Sequence, residues 1–214
     1  MKNQAAGIRR RQCEDWKKGK IQPVPGKDSI VVPRENDKDL IYQRTMENLV
    51  YAVRDTNLKE VCAKKYQPKQ VLREKGFVEA TYLVGGMVTK DRYAIVSNHM
   101  HYQESYSPGV EGYYYCQADS HYLCMDIYEY EGKKQILLLH LPETQNWKLF
   151  LDFDDQLYPG TGEIINRARK KFEETCLEAP ILEANTPKWL RQCSFPVGMT
   201  VRGELFPLED APLF

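Results

Sequence analysis

The chain has 214 residues, in which 30 basic side chains balance 30 acidic ones. A formal net charge of zero excludes the protein-wide positive field that draws nucleic acid to basic proteins. Hydrophobic residues make up 42% and charged residues 28%, which is ordinary for a globular protein and argues against disorder. No apolar run is long enough to cross a membrane, and the first residues lack the apolar core of a secretory signal. Six scattered cysteines without a CxxC pair predict free thiols in a reducing, cytoplasmic environment.

The first predicted element is a basic arm over residues 1–27. Residues 1–20 hold seven basic and two acidic side chains, a local charge of +5, before Pro23 and Pro25 interrupt the chain. Such a charge run is typical either of a solvated terminus or of an electrostatic contact with a partner. The side chains predicted to make that contact are Arg9, Arg10, Arg11 and Trp16. Residues 28–214 are predicted to form a single α+β domain.

Apolar residues at helical spacing predict helices on both sides of the centre of the chain. The first runs over about residues 37–54, and a second helical piece continues to about residue 66. Another helix is expected over 162–177, where apolar residues again form a stripe. Thr186 and Pro187 have the pattern of an N-cap and a first-turn proline for a short helix.

Between these helices, residues 77–153 alternate β-branched and aromatic side chains with polar ones, which predicts a central antiparallel sheet. The expected strands are 77–88 paired with 92–98, 121–130 paired with 134–141, and 147–153. Gly85 and Gly86 interrupt the first of these strands and indicate a bend in the sheet or a close approach of another group. The predicted fold class is therefore α+β, with about four to six strands flanked by helices.

All four histidines lie within this central region, and they are the best candidates for chemistry. His99 and His101 would point to the same face of a strand, because side chains alternate along it. Since histidine titrates near neutrality, the pair could serve as general acid and general base on a phosphodiester. The same two residues with Cys116, His121 or Cys124 would make a zinc site of mixed nitrogen and sulfur ligands. No HExxH or CxxC spacing supports that site, so we predict no metal and no cofactor.

His140 has a different expected role. A turn at residues 131–132 would place it on one face of the sheet with Leu123, Met125 and Ile127 of the opposite strand. These neighbours are apolar, so we expect a hydrogen-bonded histidine in the core or a histidine at the margin of the sheet.

The segment 102–118 is rich in tyrosine on both sides of a Pro-Gly turn. Tyrosine offers a large contact area at low entropic cost, with a polar tip that tolerates water, and therefore suits recognition of a partner. The alternative is that adjacent tyrosines simply alternate between the two faces of a strand. The tyrosines predicted to bind a partner are Tyr102, Tyr106, Tyr113, Tyr114 and Tyr115.

These observations favour a non-enzymatic binding or regulatory module, since recognition residues are abundant and no dense catalytic motif is present. Its predicted partner is another protein, with nucleic acid as the alternative for the basic arm, and no membrane contact is expected. The alternative function is a histidine-dependent hydrolase or nuclease centred on His99 and His101.

Overall fold

The computed structural model describes residues 35–103, 112–142, 145–153 and 160–209, all within one compact unit that begins at Glu35. The described strands are β1 Val50–Thr56, β2 Val71–Glu74, β3 Val78–Thr81, β4 Asp91–Ser97, β5 His101–Tyr102, β6 Tyr113–Cys116, β7 Ser120–Tyr130 and β8 Lys133–His140. The described α-helices are α1 Glu35–Met46, α2 Glu60–Ala63, α3 Thr161–Thr175 and α4 Pro187–Gln192. Two 3-10 helices cover Gln145–Phe150 and Glu183–Asn185. The predicted α+β class is confirmed.

The eight strands form one sheet in the order β2-β7-β8-β4-β1-β3-β6-β5. Adjacent strands are antiparallel except β4 and β8, which are parallel. Residues 75–77 join β2, the first strand in this order, to β3, the sixth. In a flat sheet five strand spacings amount to about 24 Å, whereas such a short link reaches only about 14 Å. The sheet must therefore curl until β2 approaches β3, and the link 117–119 between β6 and β7 requires the same curl.

The curled sheet has an apolar cluster on each face. The inner cluster joins side chains from seven strands, including Ala52, Leu72, Val78, Tyr93, Cys116, Tyr122 and Leu138. The outer cluster lies between β4, β7 and β8 on one side and α1, α3 and the 3-10 helix Gln145–Phe150 on the other. Its members include Tyr42, Ala94, Leu123, Leu137, Trp147, Phe150 and Ala168. Burying both faces of the central strands explains why β4 is buried along its whole length.

The predicted helix over 37–54 is wrong in its second half. The helix ends at Met46, Asn48 takes a positive φ of 53°, and residues 50–56 form β1, which pairs with β4 and β3. Valine, tyrosine and threonine suit a half-buried strand, and pairing on both sides outweighs the helical spacing that these residues also show.

The hairpin of β7 and β8 is confirmed, and Glu131 and Gly132 take the positive φ values of a tight turn, 50° and 72°. A register shift between Cys124 and Asp126 changes which side chains share a face. As a result, Leu123 packs in the outer cluster, so its predicted grouping with His140 is wrong. His140 itself is buried, which is the first of its two expected placements.

The predicted strand 92–98 is confirmed as β4, but its pairing with 77–88 and the strand over 147–153 are wrong. β3 ends at Thr81 and pairs with β1 and β6, so it forms no hairpin with β4. Residues 145–150 form a 3-10 helix where a fifth strand was expected, because Trp147 and Phe150 bury themselves in the outer cluster.

Gly85 and Gly86 mark a close approach of another chain segment. A Cβ added to Gly86 would lie 1.7 Å from the carbonyl oxygen of Glu178, and one added to Gly85 would lie 2.7 Å from Ile181. The backbone N–H of Gly86 donates to the carbonyl of Ala179 at 3.2 Å. The absence of side chains at these positions therefore lets the segment after α3 lie against the sheet.

Candidate functional site

Five of the predicted partner-binding residues, Arg9, Arg10, Arg11, Trp16 and Tyr106, lie outside the described residues. Their roles, and that of the basic arm over 1–27, stay predictions. The remaining candidates all lie on or beside β5, β6 and the end of β4.

The two histidines predicted to act together line one cleft. This histidine cleft is a cavity of about 500 Å3 between the last turns of α1 and the chain that follows β4. Its described lining consists of Ile41, Arg44, Thr45, Asn98, His99, His101, Pro142 and Asn146. The two residues do not share a strand face as expected, because His99 lies in the bend after β4 and only His101 lies in a strand, β5. Their catalytic role stays a prediction.

Both ring nitrogens of His99 have acceptors beside them. Nδ1 lies 3.0 Å from Oδ1 of Asn98, and Nε2 lies 3.1 Å from the carbonyl oxygen of Leu141. His101 is held differently, because its Nε2 lies 2.9 Å from Nε2 of Gln117 and its ring stacks on Tyr115 at 5.1 Å. Each imidazole is therefore fixed by its neighbours before any ligand arrives.

His140 lies in the core beneath this cleft, in a stack of three rings. The ring of His99 is 4.0 Å from it on one side and the ring of Tyr122 is 5.2 Å away. Nδ1 of His140 lies 3.0 Å from Oγ of Ser97, and within the described chain its buried Nε2 has no hydrogen-bond partner. Burial, and then the nearby histidines, hold the pKa of His140 well below its usual 6.5.

This depressed pKa should make the protein sensitive to acid. Unfolded His140 takes up a proton near pH 6.5, whereas folded His140 stays neutral, so stability is complete above that pH and lost as the pH falls. We expect the free energy of unfolding to fall by up to about 1.4 kcal/mol per pH unit below about 6.5. Chemical denaturation of wild type and His140→Gln between pH 7.5 and about 5 measures this, and the variant should show a shallower slope.

Tyr122→Phe is the matched control for that experiment, because it alters the same stack while the pKa of Tyr122 lies well above 10, outside the range studied. Tyr122→Phe should change the free energy of unfolding but leave its dependence on pH as steep as in wild type. Equal slopes in wild type and His140→Gln would show that other groups cause the acid sensitivity.

The predicted tyrosines are divided between the two faces of the sheet. Tyr113 is buried, with its ring 6.1 Å from Trp189, and its hydroxyl donates to Oε1 of Glu79 at 3.0 Å. Tyr114 points the other way and packs at 5.2 Å against Tyr102, which is exposed. The alternation expected for a strand therefore decides their placement, and these side chains do not form one continuous surface.

A second cleft, which the sequence analysis missed, lies where the curl of the sheet brings β2 near β3. This arginine cleft has a volume of about 460 Å3. Its described lining consists of Arg54, Glu74, Gly76, Phe77, Val78, Glu79, Gln192, Phe195, Pro196, Val197, Met199, Thr200, Val201 and Phe206. The polar groups come from β1, β2, β3 and α4, and two exposed phenylalanines, Phe77 at 63% and Phe195 at 60% exposure, lie at its edge.

Arg54 holds the walls of the arginine cleft together. Its guanidinium donates to the carbonyls of Glu79 at 3.2 Å, Gln192 at 3.1 Å and Phe195 at 3.4 Å. These bonds tie β3 and the end of α4 to β1, and Arg54 is only 4% exposed. Its Nε is buried and has no partner among the described atoms. A charged residue inside the apolar run of β1 was the sequence signal that could have indicated this site.

Two carboxylates face the same cleft. Glu74 accepts hydrogen bonds from the backbone N–H groups of Gly76 at 2.9 Å and Gly198 at 2.7 Å. Burial raises the pKa of Glu74 above its usual 4.5, and these two hydrogen bonds oppose the rise. Glu79 accepts from Gln192 as well as from Tyr113. With one guanidinium and two carboxylates, the described lining has an excess of negative charge.

In the described part of the chain no three histidine, cysteine, aspartate or glutamate side chains are placed to hold a metal ion together. Cys116 and Cys124 are buried in the inner cluster. Among the same residues, no helix has both the length and the apolar character needed to cross a membrane.

No protein-family model matches the chain, and no curated protein matches it. Several solved structures are similar to parts of it. The type III effector XopAI from Xanthomonas axonopodis pv. citri is 13% identical with a TM-score of 0.37, covering 43% of this chain and 41% of that protein. The ADP-ribosyltransferase Vis from Vibrio splendidus is 15% identical with a TM-score of 0.35, covering 43% and 48%. C3larvin, an ADP-ribosyltransferase from Paenibacillus larvae, is 11% identical with a TM-score of 0.35, covering 66% and 88%.

Against this finding the predicted function is wrong. We expected a non-enzymatic binding module, with a hydrolase or nuclease as the alternative, whereas Vis and C3larvin are ADP-ribosyltransferases. The chain spans less than half the length of XopAI and of Vis. At TM-scores of 0.35 to 0.37 these similarities transfer no activity, substrate or cofactor to this chain.

Proposed function

We propose that the protein binds a small molecule in the arginine cleft, and that this ligand has a flat apolar body and a positively charged head. The observation that carries the proposal is the pair of exposed phenylalanines at the edge of a cleft that also contains Glu74 and Glu79. Binding sites for small molecules are typically concave and apolar, with a few convergent polar groups and a carboxyl of shifted pKa among them.

The cleft is well suited to an apolar cation. Phe77 and Phe195 offer ring faces, which attract both flat apolar groups and cations, whereas the ring of Phe206 already has Nζ of Lys75 at 5.4 Å from its centroid. Glu74 and Glu79 supply the opposite charge, and they exceed the single cation, Arg54, which is already engaged by three carbonyls. Because those bonds fix the walls, little ordering is required when a ligand binds.

Ligand-observed NMR with phenyltrimethylammonium tests this function. We expect saturable binding of this probe, weaker binding of tetramethylammonium, which lacks the ring, and none of phenylacetate, which reverses the charge. Phe195→Ala should weaken binding about tenfold, equivalent to about 1.4 kcal/mol.

Leu182→Ala is the control for that variant, because Leu182 is also an exposed apolar residue, at 80% exposure, but does not line the cleft. It should bind the probe as wild type does. Equal affinity for phenyltrimethylammonium and phenylacetate, or an unchanged affinity in Phe195→Ala, would contradict the proposed function.

A cytoplasmic location belongs to the same proposal. Its support is that the described cysteines are buried and form no disulfide with one another, as is usual in a reducing compartment; they are Cys62, Cys116, Cys124, Cys176 and Cys193. Fractionation of the native host would test it.

A further inference from the structure

The histidine cleft has the opposite charge character from the arginine cleft. Its described lining contains the guanidinium of Arg44, two imidazoles and two side-chain amides, and it contains no carboxylate. Arg44 and His101 can donate hydrogen bonds to a ligand, whereas the ring nitrogens of His99 and the amide nitrogen of Asn98 already face protein acceptors. A cleft with such a lining is suited to a ligand that carries negative charge and accepts hydrogen bonds.

Asn98 and Leu141 fix the ring of His99 at the wall of this cleft. Nδ2 of Asn98 donates to the carbonyls of Arg44 at 2.6 Å and Glu47 at 3.1 Å, which fixes the amide so that its Oδ1 faces Nδ1 of His99. Nε2 of His99 faces the carbonyl oxygen of Leu141. Both ring nitrogens of His99 therefore face protein acceptors, and these two contacts fix the ring at the wall of the cleft.

The carbonyls at the C-terminal end of α1, beside the histidine cleft, accept hydrogen bonds from Asn98. The last carbonyls of a helix repel anions when they are unpaired, but here Asn98 donates to the carbonyls of Arg44 and Glu47, at the end of α1 and just beyond it. The carboxylate of Glu47 is engaged by Nε2 of Gln43 at 2.7 Å. The carbonyls at the end of α1 are therefore satisfied, and the carboxylate of Glu47 lies outside the described lining of the cleft.

We infer that the histidine cleft binds an oxyanion, a phosphate or carboxylate group, between Arg44, His99 and His101. Arg44 contributes a planar guanidinium that can donate two parallel hydrogen bonds to such a group. Asn98 acts as a positioning residue, since its amide holds both the end of α1 and the ring of His99. This site is separate from the arginine cleft, and neither proposal depends on the other.

The imidazole carbon-bound protons of His99 and His101 report binding directly by NMR. Titration of the full-length protein at constant ionic strength with sodium phosphate, sodium acetate or sodium chloride should shift both signals in a saturable way for phosphate or acetate. We expect dissociation constants on the order of millimolar for such small probes. Tighter binding of phosphate would identify a phosphate ligand, and tighter binding of acetate would identify a carboxylate ligand.

Arg44→Gln should weaken this binding about tenfold, because a charge-assisted hydrogen bond is lost. Lys38→Gln removes a positive charge from the same helix outside the cleft and should leave binding within about twofold of wild type. Shifts that do not saturate, equal shifts with chloride, or equal weakening in both variants would overturn the inference. A loss of probe binding at the arginine cleft would leave these signals unchanged.

Discussion

Asp55→Ala should lower the free energy of unfolding by about 3–5 kcal/mol, because it leaves a buried guanidinium without its counter-charge. Asp55 accepts from Nε of Arg92 at 2.6 Å and from its Nη2 at 2.9 Å. Arg92 is only 1% exposed, and its Nη2 also donates to the carbonyl of Gly85 at 2.8 Å. No other carboxylate replaces Asp55 among the described partners of this guanidinium. Urea denaturation at neutral pH measures the change.

Two comparisons show whether the expected loss of stability in Asp55→Ala arises because the charge of Arg92 is buried. Glu163→Ala removes one partner of the exposed ion pair with Arg167 and should cost at most about 0.5 kcal/mol. The double variant Asp55→Ala, Arg92→Met should recover part of the loss, since no unpaired charge then remains in the core. A single Asp55→Ala variant as stable as Glu163→Ala would show that the buried pair contributes no more than a surface pair.

Gly86→Ala should destabilise the protein by about 3 kcal/mol or more, through a collision between backbones rather than through loss of a contact. The added Cβ would lie 1.7 Å from the carbonyl oxygen of Glu178 and 3.1 Å from the carbonyl carbon of Ala179. These are main-chain atoms, which cannot rotate away. The segment after α3 must move off the sheet, which breaks the bonds from Gly86 to Ala179 and from Met87 to Cys176. Thermal and chemical denaturation both measure the loss.

Gly162→Ala is the matched control. Gly162 lies in α3 with nothing within 4 Å of an added Cβ, so alanine should stabilise the helix by about 0.5–1 kcal/mol. Replacing glycine by alanine is thus expected to lower the free energy of unfolding at Gly86 and to raise it at Gly162. If Gly86→Ala were as stable as wild type, the close packing of residues 178–181 on the sheet would be wrong.

Elements with strong local signals were predicted well. The turn at Glu131 and Gly132 joins β7 to β8, and Thr186 caps α4 by accepting from the backbone N–H of Trp189. α3 begins and ends within two residues of the expected range 162–177. Each of these elements forms for a local reason that a few neighbouring residues supply: a positive φ for the turn, a cap for α4 and an amphipathic stripe for α3.

Elements whose state depends on distant partners were predicted badly. Residues 50–53 continue the helical spacing of α1, yet they belong to a strand because β4 and β3 pair with them on both sides. Residues 147–153 have the alternating pattern of a strand, yet the structure does not pair them with the sheet. Residues 145–150 form a 3-10 helix instead, which buries Trp147 and Phe150 in the outer cluster. A hydrophobic pattern specifies which side chains must be buried, but not which surface will cover them.

The two clefts also differ in how far apart in the sequence their residues lie. His99 and His101 line one cleft, but strand alternation does not explain it, because His99 lies in the bend after β4 and only His101 lies in a strand. The groups of the arginine cleft, from Arg54 to Phe206, are far apart in sequence and meet only because the sheet curls and brings β2 near β3. By itself the sequence determined the fold class, the turn at Glu131 and Gly132, and the cap at Thr186. Tertiary structure decided the strand order, the curl and therefore the arginine cleft, since these depend on pairing between distant segments that no local pattern encodes.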